Sequence, residues 1–237
     1  MFNAILFIIL GYLLGSVPFG YIFSKISGKD VLKIGWRKTS GSNVFKNVGA
    51  WQGLLTGLGD VGKGFLAVCL AQNFGEPVQV QVFCGVAAVT GHNWSVFLKF
   101  AGGRGIGTLI GAFLALSPTI LGLSIIFLIG LALVWNAAIG TIFFLAAAII
   151  IAAVSGQLET VGLLPLVSLL PVFIKRLSPV KELFSKGDED KSSSLLFARL
   201  RLARVNKGII RNRLIFDDDI PRWDLRIKRI IQRLTKA

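Results

Sequence analysis

Between Gly105 and Ile174 the chain carries one ionisable side chain, Glu159. A run of that length cannot be folded into a water-soluble domain, whose surface needs polar and charged groups throughout. A helix crossing about 30 Å of hydrocarbon needs about 20 mostly apolar residues, and length rather than periodicity divides such a run into spans. Across all 237 residues, 54% are apolar and 16% charged, with a mean hydropathy of +0.71, so the apolar excess has to face lipid.

The apolar stretches fall at about 3–24, 53–74, 78–98, 105–117, 118–135, 137–155 and 159–174. The sequence thus predicts an all-α, polytopic transmembrane helix bundle of about seven spans. The fourth stretch is short enough to be tilted or re-entrant, and Ser117-Pro118 separates it from the fifth. The run from Phe2 to Gly15 lacks a basic segment before it and stays apolar through Phe23, which reads as a retained first span rather than a cleaved leader.

Lys25, Lys29, Lys33, Arg37, Lys38 and Lys46 crowd the first connection, Lys99 and Arg104 another, whereas the connections bearing Glu76 and Glu159 have no basic residue. Positive loops stay inside. The expectation is therefore a multi-pass plasma-membrane protein with its N-terminus outside and its C-terminal tail in the cytoplasm. Residues 1–174 would form the membrane domain and 175–237 a basic helical tail. The tail holds seventeen of the 26 Lys and Arg residues, with two amphipathic patterns, Leu195, Leu196, Leu200 and Ala203, then Leu225, Ile227, Ile230, Ile231 and Leu234. Packing of these two helices on each other and adsorption to the inner leaflet are both open. The net charge of +14 lies beside apolar spans, so membrane lipids, not nucleic acid, are the expected partner.

Three polar clusters interrupt the apolar body. In Lys33-Ile-Gly-Trp-Arg-Lys-Thr-Ser-Gly-Ser-Asn43-Val-Phe-Lys46, cations alternate with hydroxyls and an amide. That mixture suits a phosphate ester bearing hydroxyls, with Lys33 and Lys46 for the phosphate and Ser40, Ser42 and Asn43 for the alcohols. An ordinary positive-inside loop explains the lysines equally well, but not the hydroxyl run. Gly91-His92 through Lys99 to Gly102-Gly103-Arg104-Gly105 leads into the next apolar run, where glycines let backbone N–H groups approach an anion at a helix N-terminus. A plain Gly-Gly turn is the alternative. Asp60 and Lys63 sit at i, i+3 within the second span and can pair on one helix face, as a brace or as a substrate contact. Cys69 and Cys84 lack metal-ligand spacing, and no metal or other cofactor is expected.

In these clusters the sequence resembles the bacterial acyl-phosphate:glycerol-3-phosphate acyltransferase family, over roughly residues 10 to 120. The matching elements are Gly15-Ser-Val-Pro-Phe-Gly-Tyr21, Ser42-Asn-Val-Phe-Lys46, Asp60-Val-Gly-Lys-Gly64, and Gly91-His92 with Val96-Phe-Leu-Lys-Phe-Ala-Gly-Gly-Arg-Gly105. The resemblance implies transfer of an acyl group from acyl phosphate to the sn-1 hydroxyl of glycerol 3-phosphate, giving 1-acyl-glycerol-3-phosphate for phospholipid synthesis. It implies Gly102, Gly103, Arg104 and Gly105 on the acyl phosphate, Lys33, Ser40, Ser42, Asn43 and Lys46 on glycerol 3-phosphate, and Lys63 and Lys99 as further substrate-binding residues. His92, Arg104, Ser42 and Asn43 would be the catalytic group. The sequence departs from the family where a serine is usual and Trp36 stands, and Lys175-Arg-Leu-Ser178 replaces an asparagine-bearing segment. These departures leave room for a catalytically altered paralogue acting as a membrane binding or scaffold protein, and the Asp60–Lys63 pair for a small transporter.

Overall fold

A computed structural model of the chain describes the backbone of residues 2–185 and the side chains of residues 3–176. The predicted tail helices lie outside the described residues. Nine α-helices carry the described chain, with no strand among the described residues. They are α1 (Phe2–Ser16), α2 (Phe19–Ile26), α3 (Gly41–Asn47), α4 (Ala50–Asn73), α5 (Val78–Asn93), α6 (Ile106–Leu116), α7 (Pro118–Val134), α8 (Ala137–Val154) and α9 (Leu163–Ser185), with a 3-10 turn at Val96–Leu98.

Three stretches are long and apolar enough to cross a membrane by length and composition, Asn3–Ile26, Ala50–Asn73 and Ala137–Val154, and α6 and α7 are shorter apolar helices. The first stretch is broken. Pro18 has no N–H and its ring cannot continue a helix, so α1 ends and α2 starts afresh. The third expected span stops at Asn93 instead of reaching residue 98, because the chain there turns back. The Ser95 N–H donates to Ala101 and the Phe100 N–H to Ser95, while Lys99 and Phe100 both take positive φ. Ser117 separates α6 from α7 as expected, its hydroxyl accepting from the Ile120 N–H with Pro118 in the first helical turn. Asn136 caps α8 through 2.9 Å bonds from the N–H groups of Ala138 and Ile139.

Small residues set the helix seams. α1 packs on α5, α4 on α6 and α7 on α8. A Cβ at Gly15 would strike the backbone of Ala88, one at Gly64 that of Thr108, and one at Gly111 that of Val61. Such close backbone approach is how helices adhere where lipid removes the hydrophobic drive to associate. The apolar part of the interior is built on Val68, Val82, Leu109, Phe113, Phe144 and Leu164, with the Phe113 and Phe144 rings edge-to-face at 5.5 Å. Large apolar side chains such as Leu58, Leu66, Ile126, Leu133 and Ile150 point outward, which is stable only against lipid.

Candidate active site

The helix break at Val17-Pro18 frees backbone carbonyls that a buried polar network takes up. Lys63, on α4, donates from Nζ to the Val17 carbonyl at 3.0 Å and pairs with Asp60 Oδ1 at 2.9 Å. The same carboxylate oxygen lies 3.2 Å from His92 Nδ1 on α5. Ser95 donates its hydroxyl to the Ser16 carbonyl. Lys63 is only 5% exposed and Asp60 4%, so the pair expected on one face of the second span exists and is buried inside the bundle. Its contacts tie α4 to the α1–α2 break and to α5, which fits a brace. The Asp60–His92 contact was not legible in the sequence, because 32 positions separate the two residues and only the α4–α5 hairpin brings them together.

His92 in turn places the glycine loop. The Gly103 N–H donates to the His92 carbonyl at 3.0 Å, and a Cβ at Gly103 would collide with the imidazole Nε2 edge. Gly102 leaves no more room, since its Cβ would meet the carbonyls of His92 and Asn93. Gly105, at φ +75°, is the N-cap of α6, and Gly107 abuts Asp60. The loop that presents Arg104 is thus folded against the buried network at the start of an 11-residue helix. Backbone N–H groups and the helix dipole there favour an anion. Lys99 is exposed at the tip of the turn, next to the exposed rings of Phe97 and Phe100.

The first loop is organised by Asn43. Its side chain is fully buried: Nδ2 donates to the Lys38 carbonyl at 2.8 Å, and Oδ1 accepts from the Trp36 N–H at 3.1 Å and from Asn47 Nδ2 at 2.8 Å. Asn43 therefore shapes the loop, whereas Ser42, Lys33 and Lys46 are exposed and Ser40 is half-buried, its hydroxyl 3.4 Å from that of Ser42. At the loop's entry the Lys25 ammonium, hydrogen-bonded to Asp30, holds that carboxyl below its usual range.

The two loops meet at Trp36. Lys46 Nζ lies 4.7 Å from the indole centroid and the Arg104 guanidinium carbon 5.6 Å, one cation from each loop. Lys175, read from the sequence as the beginning of the tail, instead continues α9, is buried, and stands over the Trp94 ring at 5.2 Å. Arg176 beside it donates to Thr141 Oγ1 at 2.8 Å. No spacing rule announced these two, since they follow an apolar run in the way tail residues do. Among the described residues no group of three His, Cys, Asp or Glu could hold a metal.

A helical bundle with lipid-compatible outer faces and two cationic, glycine- and hydroxyl-bearing loops at one place defines a membrane protein that handles anions. The glycerol-3-phosphate acyltransferase family model matches residues 5–186. A glycerol-3-phosphate acyltransferase of Prochlorococcus marinus (strain MIT 9515) is 35% identical over 196 residues, 81% of this chain and 98% of that protein. Another from Prochlorococcus marinus (strain MIT 9312) is 42% identical over 114 residues, 48% of this chain. A third, from Synechococcus sp. (strain CC9902), is 44% identical over 118 residues, 49% of this chain. These last two matches span little more than half of the relatives' length, 58% and 59%. Crystal structures of PlsY (YgiH), an integral membrane glycerol 3-phosphate acyltransferase, in its glycerol 3-phosphate and lysophosphatidic acid forms, superpose with TM-score 0.67 at 28% identity, covering 77% of this chain and 92% of that one. The chain belongs to the glycerol-3-phosphate acyltransferase family.

Proposed function

We propose that this protein transfers an acyl group from acyl phosphate to the sn-1 hydroxyl of glycerol 3-phosphate, releasing inorganic phosphate and 1-acyl-glycerol-3-phosphate for phospholipid synthesis. The observation that carries the reading is the meeting of two cation-bearing loops at Trp36, because the reaction joins two phosphorylated substrates. An acyl phosphate is a mixed anhydride and needs no enzyme nucleophile. It needs positioning and neutralised charge. The acceptor oxygen bonds to the acyl carbon, the acyl C–O bond to phosphate breaks, and the hydroxyl proton passes to the departing phosphate. Gly102, Gly103, Arg104 and Gly105 cradle the donor phosphate. Lys33, Ser40, Ser42 and Lys46 take glycerol 3-phosphate, with Asn43 shaping their loop. His92, only 4% exposed, acts by holding Gly103, and Lys63 by holding Asp60. Lys99 stays at the rim, where it attracts both anions.

The reading includes a plasma-membrane location and seven crossings, formed by α1 with α2, then α4, α5, α6, α7, α8 and α9, with the N-terminus outside and the basic tail that follows α9 in the cytoplasm among membrane lipids. Two crossings, α4 and α5, separate the loops of Lys46 and Arg104, which accords with both loops lying on one side. The test is purified protein given a defined acyl phosphate and glycerol 3-phosphate, with phosphate release and lipid product measured beside acyl-CoA as alternative donor. Arg104→Ala should abolish most transfer. Full activity in that variant overturns the glycine-loop assignment, and no transfer by the wild type with either donor overturns the enzymatic reading in favour of a binding protein.

A further inference from the structure

Asn93, the last residue of α5, has no part in the proposed transfer, yet it is polar and fully buried. Its Nδ2 donates to the Pro171 carbonyl of α9 at 3.1 Å, across 78 positions of sequence. Burying an amide among apolar helices carries a desolvation cost that its hydrogen bond offsets. A leucine of similar volume would fill the space between α5 and α9 without that cost, so stability alone does not account for an amide here. What an amide adds is direction, because its bond holds the two helices in one register.

The register matters through what lies at each end of the bond. Pro171 is inside α9 and has no N–H for the Val167 carbonyl, so the helix lacks one of its own bonds at that turn. Asn93 ties α9 down there, and one turn later Lys175 stands over the ring of Trp94, the residue after Asn93. On its other side Asn93 lies against the glycine loop. A Cβ at Gly102 would strike the Asn93 carbonyl, and one at Gly105 would come within 3.0 Å of Asn93 Oδ1. Both ends of the glycine run thus rest on this one residue, while Gly103 is bonded to its neighbour His92. We infer that Asn93 is a positioning residue, which transmits the placement of α9 to the glycine loop and so sets where that loop holds the acyl donor. The inference rests on the proposed acyl transfer and adds α9 to the elements on which the donor side depends. Glycerol 3-phosphate, held by the first loop, does not feel the change.

The experiment uses the full chain in detergent, as Asn93→Leu, Asn93→Ser and Val172→Ala. Val172 is buried beside Pro171 in the apolar core, so truncating it loosens α9 without removing the amide. Unfolding midpoints are measured with kcat and the KM for each substrate, per folded molecule. Asn93→Leu should keep a midpoint near that of the wild type yet lower kcat on the order of 10- to 100-fold, the scale of a slightly misplaced reactant, with KM for glycerol 3-phosphate unchanged. Asn93→Ser, whose shorter side chain cannot span to the Pro171 carbonyl, should lose kcat in the same way. Val172→Ala should lower the midpoint and leave kcat as in the wild type. Wild-type kcat in either Asn93 variant, an equal loss of kcat in Val172→Ala, or a change confined to KM for glycerol 3-phosphate overturns the inference and leaves the transfer reaction standing. Failure of both Asn93 variants to fold makes the residue a structural one and overturns it too. A wild type that transfers no acyl group overturns the acyl-transfer reading as well.

Discussion

The Gly103 N–H donates to the carbonyl oxygen of His92 at 3.0 Å, which ties the loop carrying Arg104 to the last turn of α5. Because His92 Nε2 faces the Gly103 Cα, a methyl group there has nowhere to go. Gly103→Ala should move the loop by about an ångström and lower kcat about 100-fold, the usual scale for such misplacement. Phosphate release by the purified variant checks this, and a rate within threefold of wild type would show that the loop does not set the chemistry.

Asp60 compensates two neighbours inside the bundle, the Lys63 ammonium and the His92 imidazole. Asp60→Ala should destabilise the fold by about 3–5 kcal/mol, since it strands a buried cation, whereas Asp60→Ala with Lys63→Met should recover part of that loss. Unfolding midpoints in detergent distinguish the two. Equal midpoints for the single and double variants would mean that the pair contributes no charge compensation.

Asn43 and Ser42 are adjacent yet differ in burial. Asn43→Ala leaves the Lys38 carbonyl and the Trp36 N–H without their partners, and should cost about 1–3 kcal/mol of stability together with a raised KM for glycerol 3-phosphate. Ser42→Ala, at an exposed site, should raise KM without lowering the unfolding midpoint. Identical stability losses in the two variants would count against the loop-shaping role of Asn43.

At the α1–α5 seam a side chain on Gly15 meets the Ala88 backbone, which cannot swing away as a side chain can. Gly15→Val should exceed the roughly 1–3 kcal/mol that overpacking a core typically costs. The yield of monodisperse protein and its unfolding midpoint measure this, and a wild-type midpoint would mean that the helices can separate at little cost.

How far the sequence led differs from element to element. The Ser117-Pro118 and Trp135-Asn136 turns were legible because their capping chemistry is local. The Asp60–Lys63 pair was legible from its i, i+3 spacing on a helix. α5 ends five residues before its apolar stretch does, because residues 94–98 are apolar enough to continue a span and only the return of the glycine loop turns them aside.

By itself, then, the sequence determined the helical class, the approximate limits of the apolar runs and the residue types of both polar loops, since hydropathy, capping and spacing act between near neighbours along one chain. Only the tertiary structure decided that His92 meets Asp60, that Asn43 is buried within its own loop, and that Lys46 and Arg104 share the Trp36 ring. The first and last of these depend on how α4, α5 and the start of α6 are brought together, with Gly64 and Gly111 packed against backbone at the α4–α6 seam. Which glycine faces which carbonyl is a property of the packed bundle, and no local pattern encodes it.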